Sequence, residues 1–423
     1  MKPSGIEWIG DIPDDWEVRR LKAIFKLQTG NTPSTNNKNN YAETGFPWLK
    51  PDDLCGTIKE SQAKVFLSPA GKLETRILPA NSILLCCIGS IGKIGFVSTE
   101  CASNQQITAL IIKHGFWRYF LYVLRIAEEE LMSLSVGNVV FILNSERLGS
   151  LKIPFPPLKT QQKIADYLDE KCGEIDATIA KQKESIEKLK AYKQSLISET
   201  VTKGLDKSAP LKPSGIEWIG DIPDDWEVTK ISRLYSIQLG KMLQPEKKSL
   251  GDTYEPYICA ANLSSGTFRL DEVKYMWISE PEKDIYRLKR DDLLVTEGGD
   301  VGISSIWKDD ISPCYFQNAL HRVVPKKGNS NRFLHYWLIV LKSVGYIDLI
   351  CNKSTIAHFT KEKFAQSLIL SIPLQTQEKI ADYLDSKCSQ IDKYITEKQN
   401  IIQKLDAYKK SLIFECVTGK QKI

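Results

Sequence analysis

The sequence has no apolar run long enough to cross a bilayer: its most apolar stretches, such as residues 333–341, are short and carry His335 or run into Lys342. Its first residues also lack the basic stretch and apolar core of a leader, so a cytoplasmic chain with no membrane contact is expected. Histidine is scarce, with four residues, and the ten cysteines are scattered with no CxxC spacing. Closely spaced ligand pairs are what a structural zinc needs, so no metal is expected, and the cysteines read as reduced, buried small hydrophobes. There is no tract of glycine, proline, glutamine or asparagine; with 42% hydrophobic and 26% charged residues, a disordered or fibrous chain is excluded.

What the sequence does have is itself twice. The stretch KPSGIEWIGDIPDDWEV occupies residues 2–18 and recurs letter for letter at 212–228. Residues 161–202 match 377–418 at 25 of 42 positions. Between these shared ends lie two long middles, 19–150 and 229–370, that differ. Uniform drift after a duplication would blur every part alike, so the contrast implies different demands on ends and middles.

The shared tails carry apolar residues at steps of three and four: Ile164, Leu168, Cys172, Ile175, Ile179, Ile186, Leu189 and Leu196, matched by Ile380, Leu384, Cys388, Ile391, Ile395, Ile402, Leu405 and Leu412. That heptad-like stripe predicts two long helices, each roughly 60 Å at 1.5 Å per residue, packed as a coiled coil. Pro157 and Pro373 suit their starts, Gly204 and Gly419 their ends. Gln182, Lys193, Lys398 and Lys409 interrupt the stripe and are expected to fix its register. The middles read as mixed α and β domains, with strand, glycine turn, strand in NSILLCCIGSIGKIGFV and DDLLVTEGGDVGISSIW, each followed by an aromatic helix whose rings pack a core. The fold class predicted is α+β, with an internal pseudo-two-fold repeat.

Charge is confined in an informative way. Residues 19–150 carry a net +5 and residues 229–370 a net +4, leaving about −4 for the rest of the chain. A basic excess restricted to the variable parts suits a polyanion, nucleic acid foremost. Enzymatic machinery is not found. GSIGKIG lacks the Gly-Lys-Ser/Thr of a phosphate loop and the spacing of a dinucleotide site, FPPL only superficially resembles a methyltransferase motif, and Asp52, Asp53, Glu60 and Lys64 have spacings that arise by chance. His114, His321, His335 and His358 have no Ser or Cys partner in a recognisable setting. A binding protein with no catalytic residues and no cofactor is expected.

At IPFPPLKTQQKIADYLD (153–169) and IPLQTQEKIADYLD (372–385) the chain resembles the specificity (S) subunit of Type I restriction-modification systems, along essentially its whole length. NQQITALI (104–111), TEGGD (296–300) and STIAHFTKEKF (354–364) are similar to target-recognition domains, with NVVFILNSERL (138–148) a weaker counterpart of the last. The resemblance implies target-recognition domains at 1–152 and 206–371, helical regions at 153–205 and 372–423 forming an antiparallel pair, and each domain reading half of a split site in double-stranded DNA. It also implies two methyltransferase (M) subunits on the repeated parts, joined by restriction/translocase (R) subunits. Fixed ends then serve identical partners, and divergent middles read unlike half-sites. Joining the termini would nearly rebuild the central junction, so they are expected to lie close together.

Base readout needs side chains that donate and accept in fixed geometry. The candidates are Asn36, Lys50, Ser90, Lys93, Asn104, Gln105 and Gln106 in the first domain, and Lys241, Asn262, Asp300, Gln317, Asn318, His321 and Arg322 in the second. Two rival readings stand beside this one: a coiled-coil adaptor whose unlike domains bind two proteins, and a self-contained nuclease or methyltransferase.

Overall fold

A computed structural model describes residues 1–56, 59–264, 266–351 and 358–423. The chain folds into two compact units. One holds Met1–Glu184 with Lys398–Ile423, the other Ser185–Glu397. Each unit therefore contains one variable middle, the first part of its own tail and the last part of the other tail.

Two long helices, Leu158–Lys203 and Leu374–Val417, form the tails as their stripe requires. Each ends at a glycine in the left-handed region, Gly204 (φ 76°) and Gly419 (φ 73°), where any other residue would be strained. In the first unit Ile164, Leu168, Ile175 and Ile179 are buried in one core with Leu412, while Ile402 and Leu405 pack against it half-buried. In the second, Ile186, Ile380, Leu384 and Ile391 are buried and Leu189, Leu196 and Ile395 half-buried. The polar residues that interrupt the stripe pair across the seam. Lys398 Nζ donates to Gln182 Oε1 at 3.0 Å and Lys409 to Asp176 in the first unit; Lys193 Nζ reaches both Asp392 oxygens at 2.7 Å in the second. Lys193 and Lys409 are repeat counterparts, as are Asp176 and Asp392, so one pairing is made twice. The partners run in opposite senses, which makes the pairing antiparallel within each unit.

The two middles share a scaffold. In the first, strands Phe25–Thr29, Ile107–Ile112, Ser82–Cys86 and Ile94–Val97 lie side by side in that order; in the second, Tyr235–Leu239, Leu320–Pro325, Leu293–Thr296 and Ser304–Ile306 do the same. All neighbours in these sheets are antiparallel, and in each the third and fourth strands are joined through a glycine turn. A smaller sheet accompanies each, with Phe46–Leu49 parallel to Ala102–Ser103, and Thr253–Ile258 parallel to Tyr315–Phe316. Helices Trp117–Ile126 and Asn331–Ser343 bury Tyr119, Phe120 and Tyr122, and Phe333, Tyr336 and Trp337. Their rings fill the core, as read from the sequence.

Each aromatic helix is fastened to the tail below it by the same groups. Tyr122 Oη donates to Asp169 and Tyr336 Oη to Asp385, both at 2.5 Å, and Arg118 and Arg332 pair with the same carboxylates. The tail motif's glutamine adds a latch. Gln161, fully buried, accepts from Phe116 N and donates to Pro156 O, both at 2.7 Å; Gln377 accepts from Ser330 N and donates to Ile372 O, both at 2.9 Å.

The repeated opening segment packs on the end of a tail. Ile9, Ile12 and Trp16 share a core with Ile413, Cys416 and Val417; Ile219, Ile222 and Trp226 share one with Ile197 and Val201. Tyr119 Oη donates to Val417 O at 2.9 Å, and a Cβ on Gly419 would stand 2.4 Å from Pro13 Cδ. The final residues thus lie on the opening segment, as the junction sequence predicts. All ten cysteines are free thiols and nine are buried, Cys55 being exposed. Among the described residues no helix is long and apolar enough to cross a membrane.

Candidate nucleic-acid interface

In both middles the same loops converge at one end of the four-stranded sheet. Gly30 and Gly240 follow the sheet's first strand where a Cβ would come within 2.2 Å of Ser103 O and 2.3 Å of Gln317 O, so glycine alone allows the close crossing. The glycine turns use left-handed residues at matched places, Gly89 (φ 78°) and Gly92 (φ 84°), and Gly299 (φ 76°) and Gly302 (φ 78°). Backbone bonds then tie the loops to one another. In the first unit Cys87 N donates to Gln106 O (2.7 Å), Gly89 N to Phe141 O (3.0 Å) and Asn104 N to Leu49 O (3.0 Å). In the second Glu297 N donates to Ala319 O (2.9 Å), Phe359 N to Glu297 O (2.8 Å) and Gln317 N to Ile258 O (3.0 Å).

Several sequence candidates sit on this cluster with groups facing water. Ser90 is exposed at the turn tip, and Lys93, half-buried, lies 3.8 Å from the exposed Asp52 carboxylate. Lys50 is exposed with its ammonium 5.2 Å above the Trp48 ring. Gln105 is exposed and accepts from Thr32 Oγ1 at 2.5 Å, which brings the loop carrying the exposed Asn36 alongside; Gln106 is half-buried. In the second unit Asp300 is exposed and paired with Lys342 at 3.0 Å, and Gln317 and Asn318 are half-buried.

Five candidates are placed otherwise. Asn104, Lys241, Asn262, His321 and Arg322 are buried and engaged inside their own domain. Asn104 Nδ2 donates to Gln106 Oε1 at 2.8 Å. Lys241 meets Glu282 at 2.5 Å; burial opposes ionisation of that carboxyl, but hydrogen bonds from Lys241 and Ser279 outweigh it and hold it below the usual range. Asn262 accepts from Cys259 N and donates to Arg269 O, both at 3.0 Å, and His321 Nε2 is 2.8 Å from Phe359 O. Arg322 donates to Arg287 O at 2.7 Å and Ile285 O at 2.9 Å, with Asp292 3.6 Å away. Burial lowers the Arg322 pKa and raises that of Asp292, so the pair is desolvated on both sides. Donor-rich residues suit internal braces as well as base edges, and sequence spacing does not separate the two uses.

A feature of the cluster that sequence reasoning passed over is the loop from Ser135 to Leu143. Val139 is 93% exposed and Val136, Val140, Phe141 and Ile142 are exposed beside it, while the loop is sewn to the glycine turn through Phe141 O and a bridge between Ile88 and Ile142. Its signal in the sequence is the apolar run VVFIL, residues 139–143. The counterpart segment in the second domain begins with residues 354–357, which lie outside the described residues.

The cluster can present lysines to phosphates, amides and hydroxyls to base edges, and apolar groups to thymine methyls or base faces. Among the described residues no three His, Cys, Asp or Glu side chains come together as a metal group.

Comparison with known proteins agrees with this geometry. Residues 13–190 and 223–407 each match the family described as Type I restriction modification DNA specificity domain. The Type I restriction enzyme MjaVIII specificity subunit of Methanocaldococcus jannaschii is 25% identical over 436 residues, covering 97% of this chain and 94% of that protein. The MjaIX specificity subunit of the same organism is 26% identical over 275 residues, 61% of this chain and 60% of that one. A solved structure from work on complex assembly and conformational transition of the type I R-M system superposes with a TM-score of 0.74 at 16% identity, over 97% of this chain and 100% of that one, which speaks to fold. Two copies of the domain on one repeated α+β scaffold place this chain in the family of Type I restriction-modification specificity subunits.

Proposed function

We propose that this chain is the non-catalytic sequence-reading subunit of a cytoplasmic Type I restriction-modification complex. Its target-recognition domains, 1–152 and 206–371, each read one half of a bipartite site in double-stranded DNA. The helical regions 153–205 and 372–423 dock two methyltransferase subunits, which restriction/translocase subunits join. One observation carries the reading: the same loop cluster is built twice on the same scaffold, with different side chains, while the tails and opening segments stay shared. A single target would need no second, altered copy. Exposed members of the cluster, Asn36, Lys50, Ser90, Gln105 and Asp300, with the half-buried Lys93, Gln106, Gln317 and Asn318, are the proposed contacts.

The test is to co-express the chain with the methyltransferase subunit of its own system and map methylated bases across a genome. The expected result is an asymmetric site of two specified parts around an unspecified gap. Retention of the purified complex on duplex DNA should fall steeply with added salt, as phosphate contacts require. Modification confined to a single continuous sequence would overturn the two-reader assignment. Absence of any methylation or DNA retention would favour a protein adaptor instead.

A further inference from the structure

The loop cluster of the first domain carries a tip that hydrogen bonding and charge do not use. Residues 136–142 close into a short hairpin: Val136 N donates to Ile142 O at 3.0 Å and Ile142 N returns a bond to Val136 O at 2.9 Å. Glycine lets it turn, since a Cβ on Gly137 would stand 2.1 Å from Val140 O. Two bonds then pin the hairpin to the glycine turn, from Gly89 N to Phe141 O at 3.0 Å and from Leu143 N to Cys87 O at 2.8 Å. The tip is held in place, and it is apolar: Val139 is 93% exposed and Val140 52%. Folding gains nothing from aliphatic groups left in water.

Cations stand at the base of this hairpin. Arg147, exposed, donates from Nη1 to Leu134 O at 3.3 Å, and Lys93, half-buried, closes the glycine turn with its backbone N–H 3.2 Å from Ser90 O. Cations beside an apolar tip suit a major groove, where the charges meet phosphates and the tip meets base edges. The second domain differs at the same places. Leu143 N bonds to Cys87 O as Phe359 N bonds to Glu297 O, and Ile88 bridges Ile142 as Gly298 bridges His358. Exposed His358 thus stands where the first domain has Ile142, and Asp300 where it has Ser90. An imidazole and a carboxylate make hydrogen bonds to bases; the aliphatic tip makes none.

We propose that the hairpin tip reads thymine: Val139 and Val140 pack on 5-methyl groups in the major groove of the half-site met by the first domain. This inference rests on the function proposed above. Thymine's is the one methyl that an unmodified base pair shows in that groove, so an aliphatic tip has a single base-specific target there. The other use of an apolar tip is to wedge between base steps. Wedges are larger side chains such as Phe, Leu, Ile or Met, whereas the most exposed residue of this tip is a valine.

Uracil differs from thymine only by that methyl, which supplies the test. The chain purified with the methyltransferase subunit is titrated against duplexes that carry its mapped site, with uracil replacing one thymine at a time, and binding is read by fluorescence anisotropy. At one or more thymines of one half-site, uracil should weaken binding about fourfold, the transfer value of one buried methyl. A chain carrying Val139→Ser and Val140→Ser should keep its thermal midpoint, because both side chains are exposed. It should bind the thymine duplex more weakly, and its preference for thymine over uracil should vanish at those positions alone. Uracil effects that persist in the variant, or a site indifferent to every uracil, would overturn methyl readout. A variant that binds DNA more weakly although uracil never mattered would assign the tip to wedging, and one that sheds the methyltransferase subunit would assign it to a protein contact; either overturns the proposal. A wild-type complex that binds no duplex would overturn the function proposed above as well.

Discussion

Individual buried residues decide how each domain sits on its helix. Gln161 satisfies one backbone donor and one backbone acceptor that lie away from water, and Gln377 does the same in the other copy. Removing the carboxamide strands both groups, so Gln161→Ala or Gln377→Ala should cost about 2–4 kcal/mol, read as a lower denaturant midpoint at unchanged slope. His335 offers a second test. Burial holds its imidazole at about 4, with Lys193 pushing the same way, Asp385 opposing, and Ser304 Oγ 2.9 Å from Nδ1. A histidine depressed in the folded state binds fewer protons than in the unfolded one. Its stability contribution is therefore complete above about pH 6.5 and is lost as pH falls through about 4, on the order of 3 kcal/mol in all. His335→Gln should flatten the stability curve between pH 7 and 4 relative to wild type; parallel curves would show that His335 does not titrate with folding. At this scale the sequence was least legible. Arg322 and Asn104 have the chemistry of base readers, and only their burial shows them bracing a domain.

Elements were far more legible, because periodicity reports which face of a helix is dry. The tail stripe, its glycine ends, the glycine turns and the aromatic helices all appear where local pattern places them. Hidden from local pattern was the company each element keeps: Tyr119 bonds to Val417, 298 residues away, and no window of sequence contains both. The repeat supplied part of that information, since it predicted that the termini meet. The seam also shows an asymmetry that sequence equivalence conceals. Ile179 is 7% exposed, whereas its counterpart Ile395 is only half-buried. Ile179→Asp should therefore cost about 3 kcal/mol or more, from lost burial and a desolvated charge. Ile395→Asp should cost less. Thermal unfolding of the two single variants reads the order directly, and an equal or reversed order would argue against the packing described.

For the molecule as a whole, the repeated parts do structural work that explains much of their identity. Each opening segment buries the same isoleucines and tryptophan against a related tail end, so drift in one copy would have to be met in a separate stretch of chain. The middles meet that frame through a small set of recurring contacts: the tyrosine and arginine on a tail aspartate, and the glutamine latch. All of them are present in both copies. It follows that a middle should be portable between positions. The most direct measurement is to replace residues 19–150 with residues 229–370, co-express the altered chain with the methyltransferase subunit, and map methylated bases across a genome. The account predicts a symmetric site, each half matching the same one of the two parental half-sequences in inverted orientation. A folded, assembled complex that still methylates the parental asymmetric site would contradict it.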